Sequence, residues 1–327
     1  MEVFGFLIEE IAGGFYRISL PMPFRLNHIM SFALVSERQV TLFDTDMDIP
    51  EGFSALERAL QQVGRSVSDI DRIFLTHYHA DHCGLAGRLK EISGARVYLS
   101  EADSEALRNQ NRTGELFRRL RIFCREQGFP EELIDSLQEL HLYFTGVTSL
   151  IEADEPLLPY SWHTAGHRAF QVIPAAGHTR GQVCFFFPRE ALLLSGDHVL
   201  PVITPNLSID LFHPEWHPLE SFLESLRRVK KLAADRTFPS HGHMIPDLCS
   251  RIREIEAHHE ERKQLILEAV RQGFDTGRKV SLDLFGGNLP EFDQYLALHE
   301  TCVHLLELKS EGLIQEIRSG DTIRYLP

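Results

Sequence analysis

The pattern of apolar and polar positions divides the chain into an alternating strand–helix part and a mostly helical tail. Residues 3–46 read as β structure. Positions 15–20 alternate with period two, 28–35 form a second run, and 39–46 form a buried run ending in acid. Residues 51–65 switch to helical periodicity, with Phe53, Leu56, Leu60 and Val63 on one side and Gly64 as the stop. A strand over Ile73-Phe74-Leu75, a helix over 84–92 and a short strand over 95–99 follow. Residues 101–150 are charged and helical in pattern. Strands return at 169–174, 183–187 and 191–195, then a proline-rich aromatic loop at 199–218, a helix at 219–234, and a short strand and loop at 236–243. Such alternation predicts α/β layering.

The tail reads as a helix over 247–272, a short helix at 281–285, a helix over 292–312, and a hairpin of 313–318 with 322–326 turning at Ser319-Gly320-Asp321. The expected organisation is a catalytic part over 1–245, with a helical insertion at about 101–150, and a small C-terminal unit over 246–327. The pair His258-His259 is expected on a solvated helix face.

Composition narrows the partners. The chain has 327 residues, 43% hydrophobic and 24% charged, enough for one large domain and a small one. Its net charge of -14 repels polyanions, so nucleic acid and anionic membranes are not expected partners. The last helix of the tail carries one Lys and no Arg, too few cations for a recognition helix. The one locally basic stretch contains Arg112, Arg118, Arg119, Arg121 and Arg125. It reads as a solvated helix face or, more pointedly, as an anion-attracting flap. Five cysteines without a CxxC pair indicate reduced, mostly buried thiols. The N-terminal segment has no basic n-region and carries Glu9 and Glu10, and no apolar stretch reaches 18 residues. The expectation is a cytoplasmic protein acting on a small molecule, its tail packing on the catalytic part or forming a homodimer.

The chemistry concentrates in Thr76-His77-Tyr78-His79-Ala80-Asp81-His82-Cys83-Gly84. Four of these nine residues are good ligands for first-row metals, too many in too tight a cluster for one ion, so two adjacent metals are the natural reading. The missing ligands must come from elsewhere. Glycine-flanked His178 follows a strand, Asp197 ends one, and His241 is the first residue of a His-rich loop and is preferred over His243. Asp44, also at a strand end, either supports a ligand histidine or caps a turn. Cys83 is expected behind the loop, while Asp210, His213 and His243, with Trp216 and His217, are candidate substrate contacts. Imidazole and carboxylate donors suit borderline divalent ions such as zinc.

The successive segments HYHADH, AGHTRGQ, SGDH and SHGH resemble the motifs of the metallo-β-lactamase-fold hydrolase superfamily, over roughly residues 10–245. The resemblance implies a four-layer αββα sandwich (α/β, or α+β) with the site at one edge of the sheets. It implies a first metal held by His77, His79 and His178, a second held by Asp81, His82 and His241, and Asp197 bridging them. The ions are expected to be zinc, with iron or manganese as alternatives. Asp81 and Asp197 are the catalytic carboxylates, and a bridging hydroxide would attack a carbonyl or phosphoryl centre. Class B β-lactamases lack a bridging Asp at the place of Asp197, and flavodiiron reductases carry Glu at the place of His79. Hydrolysis of a small ester or thioester is therefore expected, ahead of β-lactam or redox chemistry. The tail resembles a winged helix, found in a subgroup that includes an endoribonuclease, so the alternative is a metal-dependent endoribonuclease or phosphodiesterase.

Overall fold

The computed structural model describes residues 7–24, 26–37, 39–149 and 151–327, so the start of the β structure expected from residue 3 lies partly outside the described residues. The chain begins as an antiparallel meander of β1 (Ile8–Ala12), β2 (Phe15–Pro21), β3 (His28–Val35) and β4 (Val40–Phe43). Helix α1 (Pro50–Gln62) then crosses to β5 (Ile70–Phe74). The turn α2 (Ala80–Cys83) and helix α3 (Ala86–Ser93) lead to β6 (Arg96–Leu99). The insertion is three helices, α4 (Glu101–Gln110), α5 (Thr113–Glu126) and α6 (Glu131–Gly146), before the two-residue β7 (Glu155–Pro156). Strands β4 to β7 are parallel, which completes a seven-stranded sheet in sequence order.

The second sheet holds β8 (Trp162–Ala165), β9 (Arg168–Pro174), β10 (Val183–Phe187) and β11 (Leu192–Gly196) in antiparallel order. Helix α7 (Pro218–Val229) then crosses to β12 (Arg236–Pro239), which pairs parallel to β11. Strand β8 has no counterpart in the sequence reading. Its Trp162 and Thr164 are exposed, so it lacks the apolar alternation that marks the other strands.

Apolar residues on consecutive strand positions build the layers, because successive side chains point to opposite faces. Leu42, Ile73 and Val97 face out to α1 and α3, while their neighbours Phe43, Phe74 and Tyr98 face in. In the second sheet Phe185 and Leu194 face in, and Cys184 and Leu193 face out to α7. Phe43 stacks on Phe74 at 5.5 Å between ring centroids, and Phe170 meets Phe74 edge-on at 5.0 Å. Burial of each ring contributes roughly 1.5–3 kcal/mol. The result is a four-layer αββα sandwich.

The tail comprises α8 (Leu248–Arg271), α9 (Gly277–Phe285), α10 (Glu291–Ser310) and a hairpin of β13 (Gln315–Ser319) with β14 (Thr322–Leu326). The first half of α8 places Leu248, Ile252 and Ile255 in the core outside the second sheet. Its second half places Ile266 and Val270 in a separate core with Leu305, Leu308 and Tyr325. The insertion also packs on the tail, with Leu120, Phe123 and Ile134 against Leu298 and Cys302.

Two expectations need correction. His259 is not on a solvated face: it lies buried between α8 and α10. For the arginines of α5, the reading as a solvated helix face fits side chains that are partly exposed and paired with acids, and the reading as an anion-attracting flap does not. Arg118 and Arg119 pair with Glu115 one turn away, and Arg121 and Arg125 pair with Glu131 at the start of α6, so nearby acids satisfy the cations. Among the described residues, no helix is long and apolar enough to cross a membrane.

Candidate metal centre

All seven ligand candidates converge at one edge of the sandwich, at the C-terminal ends of two pairs of parallel strands. Asp44 follows β4 and His77 lies three residues past β5; Asp197 follows β11 and His241 lies two residues past β12. Cross-sheet bonds join the strand ends there. The N–H of Val183 donates to Thr76 O at 2.9 Å, and the N–H of Met30 donates to Ser240 O at 2.7 Å. The helix expected from residue 84 is α3, which starts at Ala86, and the separate turn α2 precedes it. His79 caps α2, so Asp81 and His82 sit in its first turn and point back to the strand ends. Gly84 permits this: a Cβ there would lie 2.4 Å from Ala80 O and 2.7 Å from Met47 Cα.

The donors fall into two groups that share a carboxylate. In the first, His79 Nδ1 is 3.1 Å from His77 Nε2 and 2.9 Å from His178 Nε2. In the second, Asp81 Oδ2 is 3.6 Å from His82 Nε2 and 3.4 Å from His241 Nε2. Asp197 lies between them. Its Oδ1 is 3.6 Å from His82 Nε2 and 3.5 Å from His241 Nε2, and its Oδ2 is 3.8 Å from His178 Nε2.

Four of the histidines are held from behind. His82 Nδ1 donates to Asp44 at 2.9 Å, His178 Nδ1 to Asn206 O at 2.8 Å, and His241 Nδ1 to His28 O at 2.9 Å; His77 Nδ1 lies 3.0 Å from Thr76 Oγ1. A rear anchor of this kind fixes which nitrogen presents its lone pair forward. Asp44 both supports His82 and caps the turn. It bends at φ 56°, and it accepts from the N–H and hydroxyl of Thr76 at 2.7 and 2.8 Å.

The electrostatics differ between the groups. Burial, reinforced by neighbouring imidazoles, lowers His77 well below its ordinary range and His79 to about 3. Burial also opposes charge at His241, but Asp197 and Asp81 outweigh it and raise it to about 10. The carboxyl of Asp81 is held at about 2, burial being outweighed by His82 and His241. His82 Nε2 and Asp197 Oδ1 are buried without a hydrogen-bond partner. Orphaned donor atoms facing one another across a carboxylate-rich pocket are the arrangement that divalent cations satisfy.

The remaining candidates stand apart from this cluster. Asp210 accepts from the backbone N–H groups of Phe212 and His213 at 2.8 and 3.1 Å and lies 3.5 Å from Arg180. His213 lies 3.3 Å from Glu105. Trp216 donates to Ser221, and His217 precedes α7 without a side-chain capping bond. His243 is exposed. Cys83 is buried behind the motif, donating to Tyr78 O at 3.0 Å, and burial pushes its thiol up.

Several supporting residues escaped the sequence reading because their partners are far away in the chain. Asp103 of α4 accepts from the N–H of Gly181 at 2.8 Å and from Thr179 Oγ1 at 2.9 Å, and so holds the loop that carries His178. Asn206, whose carbonyl anchors His178, belongs to a segment held by α10. The N–H of Ile209 donates to His299 Nδ1 at 3.0 Å, and Asn206 Nδ2 donates to Leu296 O at 3.2 Å. Buried Asp46 has its carboxyl raised to about 8 by burial. No local spacing signals any of them.

A layered αββα sandwich with His- and Asp-bearing loops at the ends of its parallel strands defines a class of metal-binding hydrolases. The family model of the metallo-beta-lactamase superfamily matches residues 26–241, and the chain belongs to that superfamily. It is 26% identical over 323 residues to the probable metallo-hydrolase YqjP of Bacillus subtilis, covering 94% of this chain and 96% of that protein. The metallo-beta-lactamase family protein TTHA1429 of Thermus thermophilus superposes with a TM-score of 0.84 at 28% identity, over 97% of this chain and 99% of that one. An atrochrysone carboxyl ACP thioesterase of Aspergillus fumigatus is 22% identical over 265 residues, 80% of this chain and 49% of that protein.

Proposed function

We propose that this chain is a dinuclear metal-dependent hydrolase of a small thioester or ester. The position of Asp197, one oxygen facing His82 and His241 and the other facing His178, carries the reading. His77, His79 and His178 would hold one divalent ion, Asp81, His82 and His241 the other, and Asp197 both. Bound there, zinc ions would polarise the substrate carbonyl and lower the pKa of water toward ~7.

The chain's own residues do the rest. Asp44, Asn206 and His28 hold their histidines in one tautomer and orientation, so no reorganisation is needed during reaction. Asp81 retains 20% side-chain exposure at the mouth of the site and stays ionised, which suits it to accept a hydrogen bond from the attacking water. That water adds to the acyl carbon, the C–S or C–O bond breaks, and the thiol or alcohol departs with a proton. The names of two relatives, a metallo-hydrolase and an acyl-carrier thioesterase, support this class. The acid pairing of the α5 arginines weighs against a polyanion groove, and so against the ribonuclease alternative.

The test is metal content by elemental analysis, with turnover of thioester, p-nitrophenyl ester and RNA substrates before and after chelation. Chelator-sensitive thioester or ester turnover with two metals at the strand-end site is expected. Chelator-sensitive cleavage of RNA alone would replace the reading with the nuclease, and turnover unaffected by chelation would end both.

A further inference from the structure

A second His-carboxylate cluster lies outside this centre, where α8 meets α10. His259 of α8 and Glu300 and His304 of α10 are 1%, 7% and 0% exposed. Glu300 and His304 are one turn apart and so share a helix face. His304 Nδ1 donates to the carbonyl of Glu300 at 2.7 Å, which leaves the lone pair of its Nε2 directed at His259. His259 Nδ1 is 3.2 Å from that Nε2 and 3.9 Å from Glu300 Oε1. One donor atom from each of the three lies within 4.8 Å of the others.

A hydrogen bond between two neutral imidazoles accounts for the histidine pair but not for the glutamate. Glu300 Oε2 accepts from the N–H of Leu207 at 3.4 Å, whereas Oε1 is buried with no partner. Leaving such a group unsatisfied costs about 1–3 kcal/mol, and more once it is ionised. Burial raises this carboxyl to about 7 and lowers His259 to about 2 and His304 to about 4. Near neutral pH both imidazoles therefore offer lone pairs beside a carboxyl that ionises readily once a cation arrives. Arg262, the cation acting on all three, leaves Oε1 without a bond.

The distances suit a metal as well as a hydrogen bond, and the unpartnered carboxylate oxygen is what the hydrogen bond does not explain. Donors about 2.0–2.1 Å from a tetrahedral zinc stand about 3.3 Å apart, and the imidazole nitrogens are already 3.2 Å apart. The carboxylate oxygen, 3.9 Å from His259 Nδ1, would move about half an ångström closer to that nitrogen. The backbone carbonyl behind His304 and the amide behind Glu300 anchor two of the three ligands from behind, as metal ligands ordinarily are, while His259 Nε2 is buried without a partner.

We infer that His259, Glu300 and His304 form a third divalent-metal site, of the two-histidine, one-glutamate type that suits zinc, which clamps α8 to α10. Three protein donors leave a fourth position for a solvent oxygen. The site is closed, so its role is structural. It is independent of the hydrolase reading, although it braces the segment at Leu207 beside the anchor of His178.

The test uses the full chain, stripped by chelator, reloaded with zinc and desalted, with metal counted by elemental analysis and located by anomalous scattering at the zinc edge. Three equivalents are expected in the wild type, two in Glu300→Gln, and one in a His77→Asn/His82→Asn/Asp197→Asn triple variant, which leaves each strand-end ion only two protein donors, with an anomalous peak among the three side chains. Two equivalents in the wild type, none in the triple variant and no peak between α8 and α10 would overturn the third site and leave the strand-end centre standing. One equivalent in both, with the peak between the helices, would do the reverse. If Glu300→Gln fails to fold, the peak in wild-type crystals decides the matter.

Discussion

Two clusters of imidazole and carboxylate occupy this molecule, and their frames differ. At the strand ends, loops deliver seven donors to an edge of the sandwich, where Asp81 and Asp197 keep 20% and 11% side-chain exposure. Between α8 and α10, two helix faces press three donors together with almost no exposure. The donor chemistry is nearly the same. What separates them is access: the carboxylates of the first keep contact with solvent, and the side chains of the second keep almost none. The difference teaches that donor type speaks for metal affinity, while the frame decides between reaction and reinforcement.

Substitutions should separate the two most sharply at the shared carboxylate. Asp197→Asn should lower kcat/KM for the thioester by about 10²–10³-fold or more, with metal lost from the strand-end centre. Glu300→Gln should leave turnover by the metal-loaded enzyme within about tenfold of wild type, the lower end of what outer supporting residues cost. Equal losses in the two variants would break the distinction between a reacting and a reinforcing cluster.

A smaller effect is expected one layer behind the ligands. Asp44→Asn weakens the acceptor for His82, and metal affinity measured by chelator competition should fall by about 10–100-fold. His299→Ala removes the acceptor of the Ile209 N–H, and urea denaturation should show a loss of about 1–3 kcal/mol. An unchanged midpoint there would detach α10 from the support of His178.

The smallest signal is in pH. Burial pushes the carboxyl of Asp103 up from 3.8 to about 7. A raised carboxyl favours the folded chain below its unfolded value and loses that contribution as pH rises through the folded one. The thermal midpoint of metal-free protein should therefore fall between about pH 4 and pH 7 through this residue. Asp103→Asn should flatten that part of the curve.

Much of the strand-end region was legible in the chain itself. His77, His79, Asp81 and His82 are local in sequence, and His178, Asp197 and His241 each follow a strand, where periodicity stops and a candidate ligand begins. The α/β layering was legible for the same reason, since apolar runs such as 183–187 and 191–195 mark strands buried on both faces, while the four-layer sandwich followed from the resemblance of the motifs and not from the apolar pattern. The helix junction was not legible. His259 and His304 are 45 residues apart and come together only through the packing of α8 on α10. The pair His258-His259 carries no sign of which ring turns inward. Asp103 and Asn206 were hidden likewise, since an Asp in a charged helix and an Asn in a proline-rich loop look like ordinary surface. Strand β8 was missed because its exposed face blurs the alternation.

Helix α8 extends about 36 Å at 1.5 Å per residue over its 24 residues. Because its first half completes the outer layer of the second sheet and its second half carries the terminal core, the tail cannot be lent to another protein or removed by a cut near residue 245. Such a cut would strip Leu248, Ile252 and Ile255 from the sandwich and open its apolar flank to solvent.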